Sequence, residues 1–180
     1  MNSKGFTMLE LLMAIAVMAI LTSVSFYGYN AKREKLILDS EVNNIVGEIE
    51  HMREMAIASQ AYQKGEDMII PKGGYGVILE ISSPGAISRI ADFDGLGFDK
   101  SDDVLSNLIL DGRVIIKSLV SDQGARTSLT ILYRFPFPNA QIIDDTTATS
   151  SNAYMVIGLK SDPSQEKRIH FNSAGLIYAQ

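Results

Sequence analysis

A single carboxylate interrupts an apolar run at the front of this sequence. The segment KGFTMLELLMAIAVMAILTSVSF, Lys4 to Phe26, carries Glu10 near its start and is otherwise almost wholly hydrocarbon. At the centre of a membrane helix such an acid costs about 2.5–3.5 kcal/mol, and less toward an interface. An acid close to a helix N-terminus is also stabilised by the macrodipole. The dipole explains why Glu10 is tolerated, and gives no reason for its being there.

Two other groups of residues have types and spacings suited to chemistry. In DFDGLGFDKSDD, Asp92 to Asp103, five carboxylates accompany Gly95 and Gly97, a composition able to wrap a hard, oxygen-seeking cation such as Ca²⁺. An EF-hand needs acids at alternating early positions and a Glu at the twelfth, whereas here Leu96 and Asp103 occupy two of those places. A looser Ca²⁺ loop would use Asp92, Asp94, Asp99 and Asp103; the alternative is an Asx-rich surface turn between two strands. Four cations further along, Arg113, Lys117, Arg126 and Arg134, are the candidates for a basic groove that would take DNA. For catalysis there is little. The two histidines, His51 and His170, sit in no Gly-x-Ser-x-Gly, P-loop or His-Glu-x-x-His pattern. They read as a solvated helix residue and a sheet residue, and the chain is not expected to be an enzyme.

The elements that hold these residues follow from length and periodicity. The chain has 180 residues, no Cys, no Trp and a formal charge of −5. Without Cys there is no disulfide framework, thiolate nucleophile or zinc–thiolate site. No basic excess marks a polyanion partner. Between Glu66 and Lys117 the balance is nine acidic to five basic residues. Phe6 to Tyr27, about 22 residues, is long enough to cross roughly 30 Å of hydrocarbon as a helix. It exceeds the apolar core of a secretory signal, and beyond Thr22, Ser23 and Ser25 it continues into Tyr27 and Tyr29 as an interfacial aromatic pair in place of a cleavage site. Lys4 on one side, and Lys32, Arg33 and Lys35 on the other, leave orientation undecided by charge counting.

The helical pattern continues past the apolar run. Leu38, Val42, Ile45, Ile49, Met52 and Ala56 recur at spacings of four and three between polar residues, and no Pro interrupts Phe6 to Gln60. After Gly65 the texture changes to short Ile/Val/Tyr/Phe-rich runs separated by turn residues. Strands are predicted at 75–81, 113–120, 129–135, 153–160 and 167–172. NSAG, Asn172 to Gly175, then turns the chain tightly into a last strand at 176–179. DDTTATSSN, Asp144 to Asn152, reads as a polar loop and the expected mobile segment. The expected fold is α+β: a long N-terminal helix, half membrane-spanning and half amphipathic, packed on an antiparallel β domain. Its divisions are 1–5, 6–27, 28–60 and 61–180.

KGFTMLELL closely resembles the processing site of type IV prepilins and type II secretion pseudopilins, with Gly5, Phe6, Thr7, Glu10 and Leu11 matching the shared pattern. The resemblance implies a pilin-like fold, cleavage between Gly5 and Phe6 by a prepilin peptidase on the cytoplasmic side, and methylation of the new Phe6 amine. Glu10 becomes the fifth residue of the mature chain, the acid that in this family pairs with a neighbouring subunit's N-terminal amine. Two groups costly in lipid thereby become a charge-assisted pair that only a correctly staggered partner completes. The pattern around Tyr75–Gly76, Phe171 and Gly175 is similar to minor members of the GspH/FimT type.

Three functional readings follow. The first is a minor pilin or pseudopilin with no required cofactor. It would be held in the cytoplasmic membrane by one helix with its β domain outside, and built into a pilus or secretion pseudopilus. Its partners would be sibling subunits, the peptidase and the inner-membrane assembly platform. The second is a filament-tip subunit that captures DNA or another ligand. The third is a singly anchored Ca²⁺-binding protein.

Overall fold

The computed structural model describes residues 7–95, 103–135 and 139–180, apart from the side chains at 24–28, 30 and 31. The chain divides into two compact units, Met1–Ile37 and Leu38–Gln180. One helix, α1, Met8–Ile57, runs through the division. Its length reflects the absence of Pro, and it ends where Ser59 takes a left-handed φ of 48°. The Ser59 and Gln60 N–H groups there cap the carbonyls of Ala56 and Met55, at 3.0 Å each.

In the first unit α1 presents large apolar side chains all round, from Met8 (81% exposed) to Leu21 (62% exposed). Among the described residues no helix is long and apolar enough to cross a membrane. The unbroken described stretch from Met8 to Ser23 is shorter than the roughly 20 residues a crossing helix needs. Phe6 and side chains 24–27 of the expected crossing segment lie outside the described residues.

The second unit opens on the amphipathic half of α1. Leu38, Val42, Ile45, Ile49, Met52 and Ala56 are all buried, as their spacing predicts. Thirteen strands follow among the described residues. A small hairpin, β1 (Tyr62–Lys64) and β2 (Asp67–Ile69), leads to β3 (Gly74–Glu80), β4 (Ala86–Asp92), β5 (Asp103–Ile109) and β6 (Val114–Ser121). Then come β7 (Gly124–Arg126), β8 (Ser128–Tyr133), β9 (Ala140–Asp144) and β10 (Thr149–Ser150), and finally β11 (Asn152–Leu159), β12 (Glu166–Asn172) and β13 (Ile177–Ala179). They form two larger antiparallel sheets, β10-β9-β8-β3-β4-β5 and β13-β12-β11-β6-β7.

Alternation sets the core. In β8, Leu129, Ile131 and Tyr133 point inward, and so do Met155, Ile157 and Leu159 of β11. Polar contacts fasten the helix to both sheets. Arg89 of β4 lies 3.1 Å from Glu48, an ion pair not aligned as a hydrogen bond. Lys167 of β12 lies 3.4 Å from Asp39, and Arg53 donates to the Gly175 carbonyl at 3.0 Å. The Asn172–Gly175 turn forms as expected: Gly175 has φ 82° and its N–H donates to the Asn172 carbonyl at 2.9 Å. The segment expected to be a polar loop is more structured than its composition suggests. Thr149 and Ser150 pair with β9, and the Asp144 carboxylate is fully buried.

Candidate functional site

The N-terminus of α1 is closed by a reciprocal cap. Thr7 precedes the first helical residue, Met8, and Glu10 occupies the third helical position. The Thr7 N–H and hydroxyl both donate to Glu10 Oε2, at 2.9 and 2.8 Å. The Glu10 N–H approaches Thr7 Oγ1 at 3.3 Å. This is a capping box, in which a Thr-x-x-Glu sequence satisfies donors that a helix start otherwise leaves open. The Thr-x-x-Glu spacing is legible in the sequence and adds a local hydrogen-bonded reason for tolerating Glu10 to that of the dipole. The cap holds Glu10 at the helix start, three residues from Thr7 and four from Phe6. Gly5 and Phe6, the expected cleavage and methylation positions, lie outside the described residues.

The remaining polar side chains of the apolar stretch are also satisfied within the helix. Thr22 Oγ1 donates to the Met18 carbonyl at 2.7 Å, and Ser23 Oγ to that of Ala19 at 2.8 Å. From Thr7 to Ser23 the segment therefore combines apolar exposure on every face with polar side chains that bond within the helix and its cap. A helix apolar all round has to be covered, by protein or by lipid.

Of the acidic stretch, Asp92, Asp94 and Asp103 are among the described residues. Asp92, at the end of β4, is fully buried; its Oδ1 accepts the Gly95 N–H at 2.7 Å and its Oδ2 lies 3.9 Å from Arg134. Asp103 opens β5 opposite Ala91 and lies 3.3 Å from Lys64. Asp94 belongs to the bend after β4, and Asp99 lies outside the described residues. Among the described residues no three acids or histidines are gathered as metal ligands would be.

Each cation of the expected basic groove faces an acid of its own chain. Arg113 grips Asp111 through two bonds of 2.8 and 2.7 Å. Lys117 donates to the Pro163 carbonyl at 2.8 Å and lies 3.9 Å from Glu166. Arg126 sits 2.8 Å from Asp144, and Arg134 pairs with Asp92 and donates to the Gly95 carbonyl at 3.3 Å. Arg134 follows β8 of one sheet, while Arg113, Lys117 and Arg126 belong to the β6–β7 side of the other. The four are thus each held by an acid of the chain: Asp111, Glu166, Asp144 and Asp92. His51 is exposed on α1, and His170 stacks in parallel on Tyr178, 4.9 Å between ring centres.

Residues 1–26 match the family described as the prokaryotic N-terminal methylation motif, the leader signature of type IV pilins and pseudopilins. No curated protein and no solved structure matches the chain. The match places Gly5, Phe6, Thr7 and Glu10 inside a motif that marks processed, membrane-anchored, pilin-like proteins in general.

Proposed function

We propose that this chain is a minor pilin or pseudopilin with a structural rather than a catalytic role. It is cut between Gly5 and Phe6 by a prepilin peptidase and methylated on the Phe6 amine. Residues 6–27 hold it in the cytoplasmic membrane as one helix, with the second unit on the far side. Sibling subunits then take it up at the inner-membrane assembly platform and build it into a pilus or secretion pseudopilus. No cofactor is needed for any of this.

The observation that carries the reading is the state of the Thr7–Ser23 segment. Ten large apolar side chains between Met8 and Leu21 are more than half exposed, while Glu10, Thr22 and Ser23 are hydrogen-bonded inside the helix. In water such a surface is strongly unfavourable, at about 25 cal/mol per Å² of apolar area. Lipid covers it before assembly and the helices of neighbouring subunits cover it afterwards. Capped by Thr7, Glu10 is positioned at the helix start to meet a neighbour's amine.

Alkaline extraction of membranes from expressing cells, followed by protease treatment of spheroplasts, tests the placement. The full chain stays with the lipid pellet, and external protease removes the second unit. Release of the chain at high pH, or full protection of the second unit, would overturn it.

A further inference from the structure

Three cations of α1 have no task in the filament reading. Lys32, Arg33 and Lys35 follow the apolar segment within about one helical turn, and all three are exposed. Among the described residues no ion pair joins any of them to an acid. Arg113, Lys117, Arg126 and Arg134, by contrast, are each held by an acid of the chain. Glu34, the one acid within the group, is partly buried. Lys32 to Lys35 therefore carry a net charge of 3 − 1 = +2.

Position along the helix selects what they meet. Side chains three, four and seven residues apart share a helix face, so Lys32, Arg33 and Leu36 continue the face of Tyr29. Tyr29 is 66% exposed and Leu36 67%. An aromatic ring followed by cations is the order in which a helix leaves hydrocarbon for the headgroup layer. All these residues belong to the first unit and to one unbroken helix. At 1.5 Å rise per residue, Lys32 and Lys35 stand about 38 and 42 Å from Thr7. A bilayer measures about 30 Å across its hydrocarbon and about 40–45 Å with both headgroup layers. With Thr7 at the near edge of the hydrocarbon, the three cations stand at the outer margin of the far headgroup layer. Cβ atoms on a helix tilt toward its N-terminus, so the long Lys and Arg stems lean back toward the lipid phosphates. Cations at this end also run against the bias that keeps Lys and Arg on the cytoplasmic side, the more so once Lys4 leaves with the leader.

We infer that Lys32, Arg33 and Lys35 bind the phosphates of anionic phospholipids in the far leaflet; the inference rests on the membrane placement proposed above. A phosphodiester offers paired oxygens that Arg takes through two parallel bonds and Lys takes as a point charge. A headgroup with no cation of its own, such as that of phosphatidylglycerol, is preferred to phosphatidylcholine, whose choline offsets the phosphate charge. An acid on a sibling subunit would arrive only on assembly, whereas lipid phosphate is present at this depth from insertion onward.

The test compares the full chain with a triple variant, Lys32→Gln, Arg33→Gln and Lys35→Gln together, and with a control, Lys72→Gln, at an exposed site of the second unit. Flotation with phosphatidylcholine vesicles reads membrane insertion, which all three chains retain. Native mass spectrometry from detergent micelles then reads how much phosphatidylglycerol and phosphatidylcholine each chain keeps from an equal mixture. The parent chain and Lys72→Gln keep phosphatidylglycerol at least tenfold better, and an excess of inorganic phosphate does not abolish that preference. In the triple variant the preference falls below twofold. Flotation of the parent without the preference, or displacement of the lipid by inorganic phosphate, would overturn the inference and leave the membrane placement standing. A preference that survives in the triple variant would do the same, and with lost filament entry would assign the cations to a sibling's acid. If the parent chain does not float, the membrane placement and this inference fall together.

Discussion

Arg126 and Asp144 join the two sheets: Nε of Arg126, on β7, lies 2.8 Å from Oδ2 of the fully buried Asp144, the last residue of β9. The same carboxylate accepts the Thr146 N–H and hydroxyl at 3.0 and 2.6 Å and the Ala148 N–H at 3.1 Å, so one side chain organises the turn and anchors the neighbouring sheet. Removing one partner of a buried pair costs about 3–5 kcal/mol. Asp144→Ala is accordingly expected to cost about 3 kcal/mol, a fall in Tm of about 6–12 °C for a domain of this size. Burial pushes the Asp144 carboxyl up. The Thr146 and Ala148 donors and the Arg126 charge more than reverse this and hold it below the usual carboxylate range. Its stabilisation is therefore present above about pH 4, the ordinary unfolded value, and is lost as pH falls through the depressed folded value. Asp145 and Asp162, lowered by donors from Thr127 and Ser164, act with the same sign. Melting curves between pH 7 and pH 3 should be flat and then fall below pH 4, with a shallower fall in Asp144→Ala.

The amphipathic half of α1 makes a contrast between positions two residues apart. Ile49 is fully buried and His51 is exposed. Ile49→Ala should lower stability by about 2–5 kcal/mol through lost burial and the cavity it leaves. His51→Ala should stay within about 0.5 kcal/mol. Urea melts of the detergent-solubilised chain measure both; equal costs would mean that the stripe does not face the core.

Much of this was legible in the sequence, and the stripe from Leu38 to Ala56 shows why. Its burial follows from a local period of three and four that needs no knowledge of the partner. The runs at 75–81, 113–120, 129–135, 153–160 and 167–172 reappear as β3, β6, β8, β11 and β12, shifted by a residue or two at their ends. β4 was missed because Arg89 breaks its apolar run, and what makes Arg89 acceptable there is Glu48, 41 positions away on the helix. β5 was missed as a mostly exposed edge strand with little apolar alternation. The burial of Asp144 depends on Arg126 in another sheet, a relationship no local pattern carries. The Thr7–Glu10 cap, by contrast, was in plain view as Thr-x-x-Glu.

Tyr133 tests the core from the polar side. It is buried, its hydroxyl has no hydrogen-bond partner among the described residues, and burial pushes its ionisation well above the usual tyrosine range. A buried polar group without a partner costs about 1–3 kcal/mol. Tyr133→Phe should therefore leave Tm unchanged or raise it. A clear fall in Tm would mean that the hydroxyl has a partner, such as an internal water.

Glu10→Ala separates insertion from assembly. Removing the acid makes the segment more apolar, so membrane insertion and cleavage should proceed as in the parent chain. Incorporation into filaments should fall at least tenfold, read by shearing filaments from cells that carry the assembly machinery. Normal incorporation would show that Glu10 is not the assembly contact.

Cleavage and methylation at Phe6 are the step from which membrane release and assembly follow. N-terminal sequencing with mass spectrometry, on the chain recovered from cells that contain a prepilin peptidase, reads that step directly. The account predicts a mature chain that begins with N-methylated Phe6 and retains Glu10 as its fifth residue. An intact Met1, or any other first residue, would contradict it.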